Sequence, residues 1–482
     1  MASVRSALLY SATSKYSMRL LGLISTMVLA RLLTPSEIGT FAIASSIVML
    51  LTEFRMLGAG VYLIREKVLN NDKIRSALGL TVLISWGLGM AIAGSSPWVS
   101  KFYQMPEITT LFIILSISFF LAPYISIPTS LLSRDLKYRQ IMIIQMSAAI
   151  ANFISSVLLV IMGYSFYSLA WGRSIASTVQ LLAVLWYRPR NIPWRPSFRN
   201  MKSVAKVGIY SSTANILKKS QTTAPDLVIG KMGTTSQVGM FSRGMGFVDF
   251  LSQSIEMGIS PVALPYLSSV RRQGGDVLMA YTKAALLIGS LTWPVLAVAS
   301  LTSFPAIRLF FGDQWDAAAP IAAILAYWAL FRSVHSLSPP LFLTTGKEAW
   351  LVAKEAITFI VFILGIILSY RYGLEAVAWS LVFSAIFNMV LTSWVLKYCI
   401  QLNIVPFIRA MLPNIVLTAI CWAVTCIIDL FVNFDQSDPV FSIAIVALVL
   451  PPVWLLTVMV LNHDIYQEIK NLVLKKRRSI IY

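Results

Sequence analysis

Stretches of about twenty or more mostly apolar residues recur along the whole chain, and a helix needs about 20 such residues to cross a bilayer. In order they cover 7–30, 38–60, 77–96, 108–129, 140–162, 165–187, 205–230, 238–264, 279–303, 317–343, 349–370, 374–398, 408–432 and 440–462. The expected fold is therefore an all-α polytopic membrane protein with about 14 transmembrane helices, of which the seventh and eighth are the least apolar. Composition agrees: the 482 residues are 57% hydrophobic and 12% charged, against roughly 45–50% and about 25% in soluble domains. The first run, about Ala7 to Ala30, is too long for a signal-peptide core and lacks a clear small-residue cleavage site, so it reads as a retained first helix.

The first and seventh runs echo one another. Tyr10-Ser-Ala-Thr-Ser-Lys15-Tyr-Ser-Met-Arg19 returns as Tyr210-Ser-Ser-Thr-Ala-Asn215-Ile-Leu-Lys-Lys219, and Arg31-Leu-Leu-Thr34-Pro-Ser36-Glu-Ile-Gly39-Thr-Phe41 returns as Lys231-Met-Gly-Thr234-Thr-Ser236-Gln-Val-Gly239-Met-Phe241. The offset is 200 positions throughout. Two halves that begin with matching membrane helices mark a transporter built from parallel repeats, with its substrate site between them. The expected organisation is a six-helix lobe over 1–187, a Pro- and Arg-rich linker over 188–204 and a second six-helix lobe over 205–398. A two-helix unit over 399–462 and a basic tail over 463–482 follow.

The net charge of +19 sits mostly at the ends of the apolar runs. Alternate loops hold 25 Lys and Arg (among them Arg134, Lys137, Arg139, Arg188, Arg271, Arg272, Lys347, Lys354 and Arg409) against five, Arg31, Lys101, Lys231, Arg308 and Arg371. Basic residues gather in cytoplasmic loops, so both termini are expected in the cytoplasm, and the charge reports topology rather than a nucleic-acid partner. Neither a P-loop nor a soluble domain interrupts the pattern. Cys399, Cys421 and Cys426 form no metal-ligand spacing and read as small hydrophobes. His335 and His463 stand apart from any acid or cysteine cluster, and His463 is expected at the cytoplasmic interface. Trp98, Tyr103, Trp186 and Tyr187 are expected as interfacial belt residues. No catalytic constellation, metal site or cofactor is called for.

Charges within the runs carry the functional signal. Ser11, Lys15, Arg19, Gly22 and Thr26 fall on one narrow stripe of the first helix, and Ser211, Asn215, Lys219, Thr222 and Asp226 on that of the seventh. The eighth adds Ser242, Asp249, Gln253, Glu256 and Ser260, with Arg243 alongside. A cation facing lipid at mid-bilayer costs about 2.5–3.5 kcal/mol, so such stripes must face protein or a water-filled cavity. Lys15, Arg19, Lys219, Arg243 and Arg173 are the candidate ligands for an anionic cargo. Arg332 is a further intramembrane candidate. Asp226, Asp249 and Glu256 are candidates for balancing that charge or for ion coupling, the alternative being static ion pairs. For Lys15 the plain alternative is a side chain that snorkels to the headgroups. Glu53 and Arg55 lie nearer the helix end and are expected to be interfacial.

Several segments resemble a known family. Leu29-Ala-Arg-Leu-Leu-Thr-Pro-Ser-Glu-Ile-Gly39, Leu131-Leu-Ser-Arg-Asp-Leu-Lys-Tyr-Arg139, Asp226 with Gly233, Gly239 and Phe241, Pro261 and Pro265, Phe311-Gly-Asp-Gln-Trp315, and Thr345-Gly-Lys347 follow in order. Together they resemble the polysaccharide transporters, the Wzx-like O-antigen and exopolysaccharide flippases of the multidrug/oligosaccharidyl-lipid/polysaccharide exporter superfamily. The resemblance implies a V-shaped pair of lobes around a central cavity. It also implies movement of an undecaprenyl-pyrophosphate-linked oligosaccharide across the inner membrane by alternating access, for surface polysaccharide synthesis. The pyrophosphate would meet Lys15, Arg19 and Lys219, and the last two helices would cradle the polyprenyl tail. Membrane lipid, a polysaccharide polymerase and chain-length machinery are the implied partners. The other readings are a lipid II flippase, a cation-coupled drug exporter, which the cationic cavity disfavours, and a polymerase or ligase, which short non-cytoplasmic loops disfavour.

Overall fold

The computed structural model describes residues 4–55, 59–66, 69–188, 193–199, 201, 209–468 and 470, with side chains for all of these except 4–9, 61, 65, 209–215 and 258–261. Outside the described side chains fall Ser211 and Asn215 of the seventh-helix stripe, Ser260 and Pro261 of the eighth, residues 189–192, 200 and 202–204 of the linker, and the end of the basic tail.

The described chain is helical, with no strand. Its helices are α1 (Val4–Leu32), α2 (Pro35–Arg55), α3 (Ala59–Arg65), α4 (Asn71–Tyr103), α5 (Glu107–Arg134), α6 (Tyr138–Ile161) and α7 (Tyr167–Tyr187). There follow α8 (Ile209–Met232), α9 (Thr235–Arg272), α10 (Val277–Leu301), α11 (Ser303–Phe311), α12 (Ala319–Ser333) and α13 (Ser338–Thr345). The last are α14 (Glu348–Ser369), α15 (Leu374–Ile400), α16 (Ile404–Val432) and α17 (Pro439–Val460). Among the described residues ten segments are long and apolar enough to cross a membrane: α2, α4, α5, α6, α10, 313–345 (which includes α12 and α13), 348–372 (α14 and the turn after it), α15, α16 and α17. The protein is a multi-pass membrane protein.

Local chemistry explains where these helices begin and end. Asn70, Asp276 and Asp438 accept bonds from the first free backbone N–H groups of α4, α10 and α17. The family-like motifs are turns of this kind. Thr34 and Glu37 form a capping box: the Thr34 N–H donates to Glu37 Oε2 at 2.8 Å while the Glu37 N–H donates to Thr34 Oγ1 at 3.3 Å. The box recurs one repeat later, with the Thr234 N–H donating to Gln237 Oε1 at 3.0 Å and the Gln237 N–H to Thr234 Oγ1 at 3.3 Å. Arg134 donates to the carbonyls of Leu63 and Glu66 at 2.7 and 2.6 Å, closing the C-terminal end of α3. Gly346 ends α13 with φ 74°, and Gly312 turns the chain after α11 with φ 99°.

Compact packing divides the chain after Ser242, two turns into α9. In the first unit α4 packs on α5, α6 on α1 and α7, and α8 on α2. Two glycines related by the repeat draw α8 and the start of α9 into this unit. A Cβ on Gly39 would overlap the Thr235 carbonyl, and one on Gly239 would overlap the Pro35 carbonyl. Ser36 and Thr235 share a hydroxyl hydrogen bond of 2.6 Å at the same crossing. The second unit, 243–482, packs α12 on α10 and α15, α14 on α15, α16 on α10, and α17 on α16. Its core holds the fully buried Trp315, Trp328 and Tyr281.

Trp98 and Trp186 are exposed, as belt residues should be, but the Tyr103 hydroxyl turns inward to donate to the Leu227 carbonyl at 3.2 Å. Because the Gly39–Gly239 crossing brings backbone against backbone, Gly39→Ala and Gly239→Ala are each expected to destabilise the protein by about 1–3 kcal/mol. Thermal unfolding in detergent checks this, with Gly22→Ala, where no atom lies within 4 Å of the added carbon, expected to be silent.

Candidate functional site

All eight residues singled out for cargo or coupling lie on α1, α7, α8 and α9, helices of full length outside the ten most apolar segments. On α1 the buried polar residue is Ser14, whose hydroxyl donates to Gln145 of α6 at 3.3 Å; Lys15 is exposed and Arg19 half-buried. On α8 Lys219 is half-buried, and Asp226 accepts a 2.8 Å bond from the Ser46 hydroxyl of α2. Five residues earlier on α2, the Phe41 ring lies under the Arg173 guanidinium of α7 at 5.4 Å. Thus α2 contacts both an acid and a cation of the site, and the acid is met by a hydroxyl rather than by a cation.

In the second unit Arg243 is held by rings: its guanidinium carbon stands 5.5 Å from the Phe311 centroid and 5.2 Å from that of Trp315. The turn at Gly312 delivers Trp315, and Gly244 allows α9 to approach the Ala318 carbonyl. The buried Arg243 Nε has no hydrogen-bond partner. Two turns along α9, Asp249 pairs with Arg332 of α12 at 3.5 Å, and Arg332 also lies 4.3 Å over Trp328. Asp249 therefore balances Arg332, not Arg243. Glu256 is half-buried further along α9.

Sequence reasoning missed a buried polar cluster in this unit. Lys354, expected among the loop cations, lies inside α14 at 3% exposure; its Nζ donates to Glu355 at 2.6 Å and to Asn388 of α15 at 3.3 Å. Thr358 donates to the same Asn388 oxygen at 3.1 Å. The signal available was an adjacent Lys-Glu pair several residues into an apolar run. His335 is buried too, bonded to Tyr281 at 2.7 Å and to Ser393 at 2.8 Å, and stacked on Phe407. His463, expected at the interface, is instead buried against α16. Arg55, expected to be interfacial, packs over Phe119.

The second unit also carries an apolar cavity of about 500 Å³ between α9, α10, α11, α16 and α17. Phe247, Val298, Phe310, Cys421, Leu450 and Trp454 are among its walls. Pro294, also in its wall, explains one of its features. Proline lacks the N–H that Ser290 would receive within the helix, and the Trp454 indole fills the vacancy, donating to the Ser290 carbonyl at 2.8 Å.

The family described as "Polysaccharide biosynthesis protein" matches residues 28–320, more than half of the chain. The chain belongs to this family. Teichuronic acid biosynthesis protein TuaB of Bacillus subtilis is 20% identical over 368 residues, covering 75% of this chain and 76% of its own. Succinoglycan biosynthesis transport protein ExoT of Rhizobium meliloti is 22% identical, covering 66% of this chain and 64%, less than two thirds, of its own. Among solved structures the lipid II flippase MurJ in an inward closed conformation superposes with TM-score 0.75 at 16% identity, over 96% of this chain and 99% of that one. An inward-facing multidrug MATE transporter gives 0.63 at 14%, over 80% and 95%. The fold is that of membrane transporters and flippases, not of an enzyme.

Asp249→Asn should strand Arg332 among apolar neighbours and cost on the order of 3 kcal/mol. Arg332→Met on that background should recover part of the loss, read as a partial return of the melting midpoint.

Proposed function

We propose that this chain is a flippase for an undecaprenyl-pyrophosphate-linked oligosaccharide, working by alternating access in the bacterial inner membrane with both termini cytoplasmic. The sugar unit supplies surface polysaccharide synthesis, alongside a polymerase and its chain-length machinery. In this reading Lys15, Arg19, Arg173 and Lys219 on the first unit and Arg243 on the second are the cations available to the pyrophosphate. Asp226 and Glu256 tune its charge during the cycle, and the apolar cavity between α9, α10, α11, α16 and α17 takes the polyprenyl tail.

The observation that carries this reading is the environment of Arg243. Aromatic contact stabilises a cation by about 2 kcal/mol at most sites of this kind, whereas withdrawing a charge from water costs several kcal/mol. Two rings and an unpartnered Nε therefore leave the guanidinium short of full compensation. A phosphate oxygen is the ligand that would supply the rest, and Arg presents the planar fork suited to it. Arg173 on Phe41 repeats the arrangement in the first unit. The wholly different chemistry of the cavity wall, almost all hydrocarbon, suits an isoprenoid rather than a sugar. The named relatives in teichuronic acid and succinoglycan synthesis support the same class of cargo.

Cells depleted of the protein should accumulate the lipid-linked oligosaccharide on the inner leaflet, beyond reach of an external glycosidase. Its appearance on the outer leaflet in depleted cells would refute the flippase reading. Arg243→Glu and Lys219→Glu should each lower surface polymer at least about tenfold, the effect of roughly 1.4 kcal/mol in the limiting step, while the protein still inserts. Normal polymer from both variants would remove these residues from the site.

A further inference from the structure

Beyond Val460 the chain turns through Leu461 and Asn462 into a short helical stretch, and its first residue, His463, is 3% exposed. Its contacts fix the tautomer. The Ile465 backbone N–H donates to His463 Nδ1 at 3.1 Å, so Nδ1 is bare and the proton is on Nε2. Nε2–H then donates to Asn414 Oδ1 of α16 at 2.9 Å. Asn414, 0% exposed, passes the direction on: its Nδ2 donates to the Leu286 carbonyl of α10 at 2.9 Å. Gly289 makes room for this, since a Cβ there would stand 2.5 Å from Nδ2. Four carbonyls along α10 from Leu286, Trp454 fills the vacancy at Ser290, and Glu468 pairs with Lys283 of α10 at 2.8 Å. Four bonds therefore link the C-terminal stretch, α16, α17 and α10.

The same residues reach the cavity. Leu461, Ile465 and Tyr466 pack against the buried Leu417, Cys421 and Val458, the cluster on which Val298, Leu450 and Trp454 also pack; Cys421, Val298, Leu450 and Trp454 are cavity wall. We propose that His463 is a positioning residue for this cavity: its neutral form latches α16 and α17 onto α10, and protonation releases the latch and loosens the wall. This rests on the reading of the cavity as the polyprenyl-tail site. The chemistry is a conflict of donors. A proton at Nδ1 would face the Ile465 N–H, which loses its acceptor.

The charged surroundings bear on when this happens. Asp464 and Glu468 lie on the same stretch with Tyr466, Tyr281 and Lys283 on α10 and Tyr266 on α9; α17 has no ionisable side chain, and α16 has the exposed Arg409, the buried Cys421 thiol and, toward its far end, Cys426 and Asp429. Burial pushes the imidazole below the ordinary histidine value of 6.5, and Asp464 opposes this. The latch therefore contributes fully above about pH 6.5 and is lost as pH falls through the lower folded value.

The test uses the full-length protein in lipid nanodiscs. Hydrogen exchange of the 461–470 segment, corrected for the intrinsic rate, is followed from about pH 7.5 to about pH 5, with undecaprenyl phosphate binding measured in parallel. Protection should fall about tenfold in the wild type and stay flat in His463→Gln, whose amide keeps a donor toward Asn414; Asp464→Asn should move the loss to lower pH. Binding should weaken with the wild-type loss. Constant wild-type protection, or an equal loss in His463→Gln, overturns the latch. Should the glutamine variant fail to fold, the wild-type series and the Asp464→Asn shift still decide it. Release of the latch with unchanged binding overturns the positioning role. Absence of binding at every pH instead fails the tail-site reading and with it the positioning role, while the exchange result still decides the latch.

Discussion

A polar group at membrane depth must find its partner inside the protein, because lipid offers none. The arginines and lysines on these helices are met in three different ways. Arg332 has a carboxylate, Asp249, and a ring, Trp328. Lys354 has the Glu355 carboxylate and the Asn388 amide, deep in the second unit. Arg243 and Arg173 have rings alone among their closest described contacts. The first two arrangements are complete within the chain and need nothing from outside. The third leaves hydrogen-bonding capacity unspent, which separates candidate ligand residues from structural ions better than depth or charge does. The same demand reaches the backbone: Pro294 takes a donor away from Ser290, and an indole from another helix restores it.

The repeat was legible because it is written in turn chemistry. A capping box requires a hydroxyl followed three residues later by Glu or Gln, and Thr34/Glu37 and Thr234/Gln237 satisfy that rule with the same four-atom geometry. Gly39 and Gly239 were readable as matching glycines, but their purpose was not. Each is needed because the other's helix lies against it, a relation between positions 200 apart that a linear pattern does not express. Packing likewise carries α8 and two turns of α9 into the first compact unit, a relation between helices that the repeat pattern does not express.

Charge patterning on single helices located the candidate site's residues but did not assign their partners. Asp249, Arg243 and Glu256 share α9, and nothing in their spacing says that the acid belongs to Arg332 and the base to Trp315. Lys354 was misread for a related reason. Counting cations by loop takes any Lys near a helix end as exposed, and the cost of burying it is visible only once Glu355 and Asn388 are seen beside it. His463 gave no signal at all, since its acceptor, Asn414, sits 49 residues earlier on another helix. Contacts between helices distant in sequence are decided by shape, and shape was the part the sequence pattern left open.

Cation sites and hydrocarbon cavity together constrain what a cargo must be. A small soluble anion would use Arg243 or Arg173 and leave about 500 Å³ of apolar wall without a purpose. A plain lipid would fill the wall and leave the Arg243 guanidinium underpaired. The proposed cargo, an amphiphile with a multiply charged head and a long hydrocarbon tail, has a group suited to each. Between them the head group offers charge-assisted bonds and the tail offers contact area, at about 25 cal/mol per Å² removed from water. That second term is nearly independent of which sugar is attached, so the tail can anchor cargoes that differ widely in the part that must cross. Under the proposed reading the tail's grip depends on how tightly α16 and α17 are held to α10, which is a property of the clamp at Trp454, Asn414 and His463.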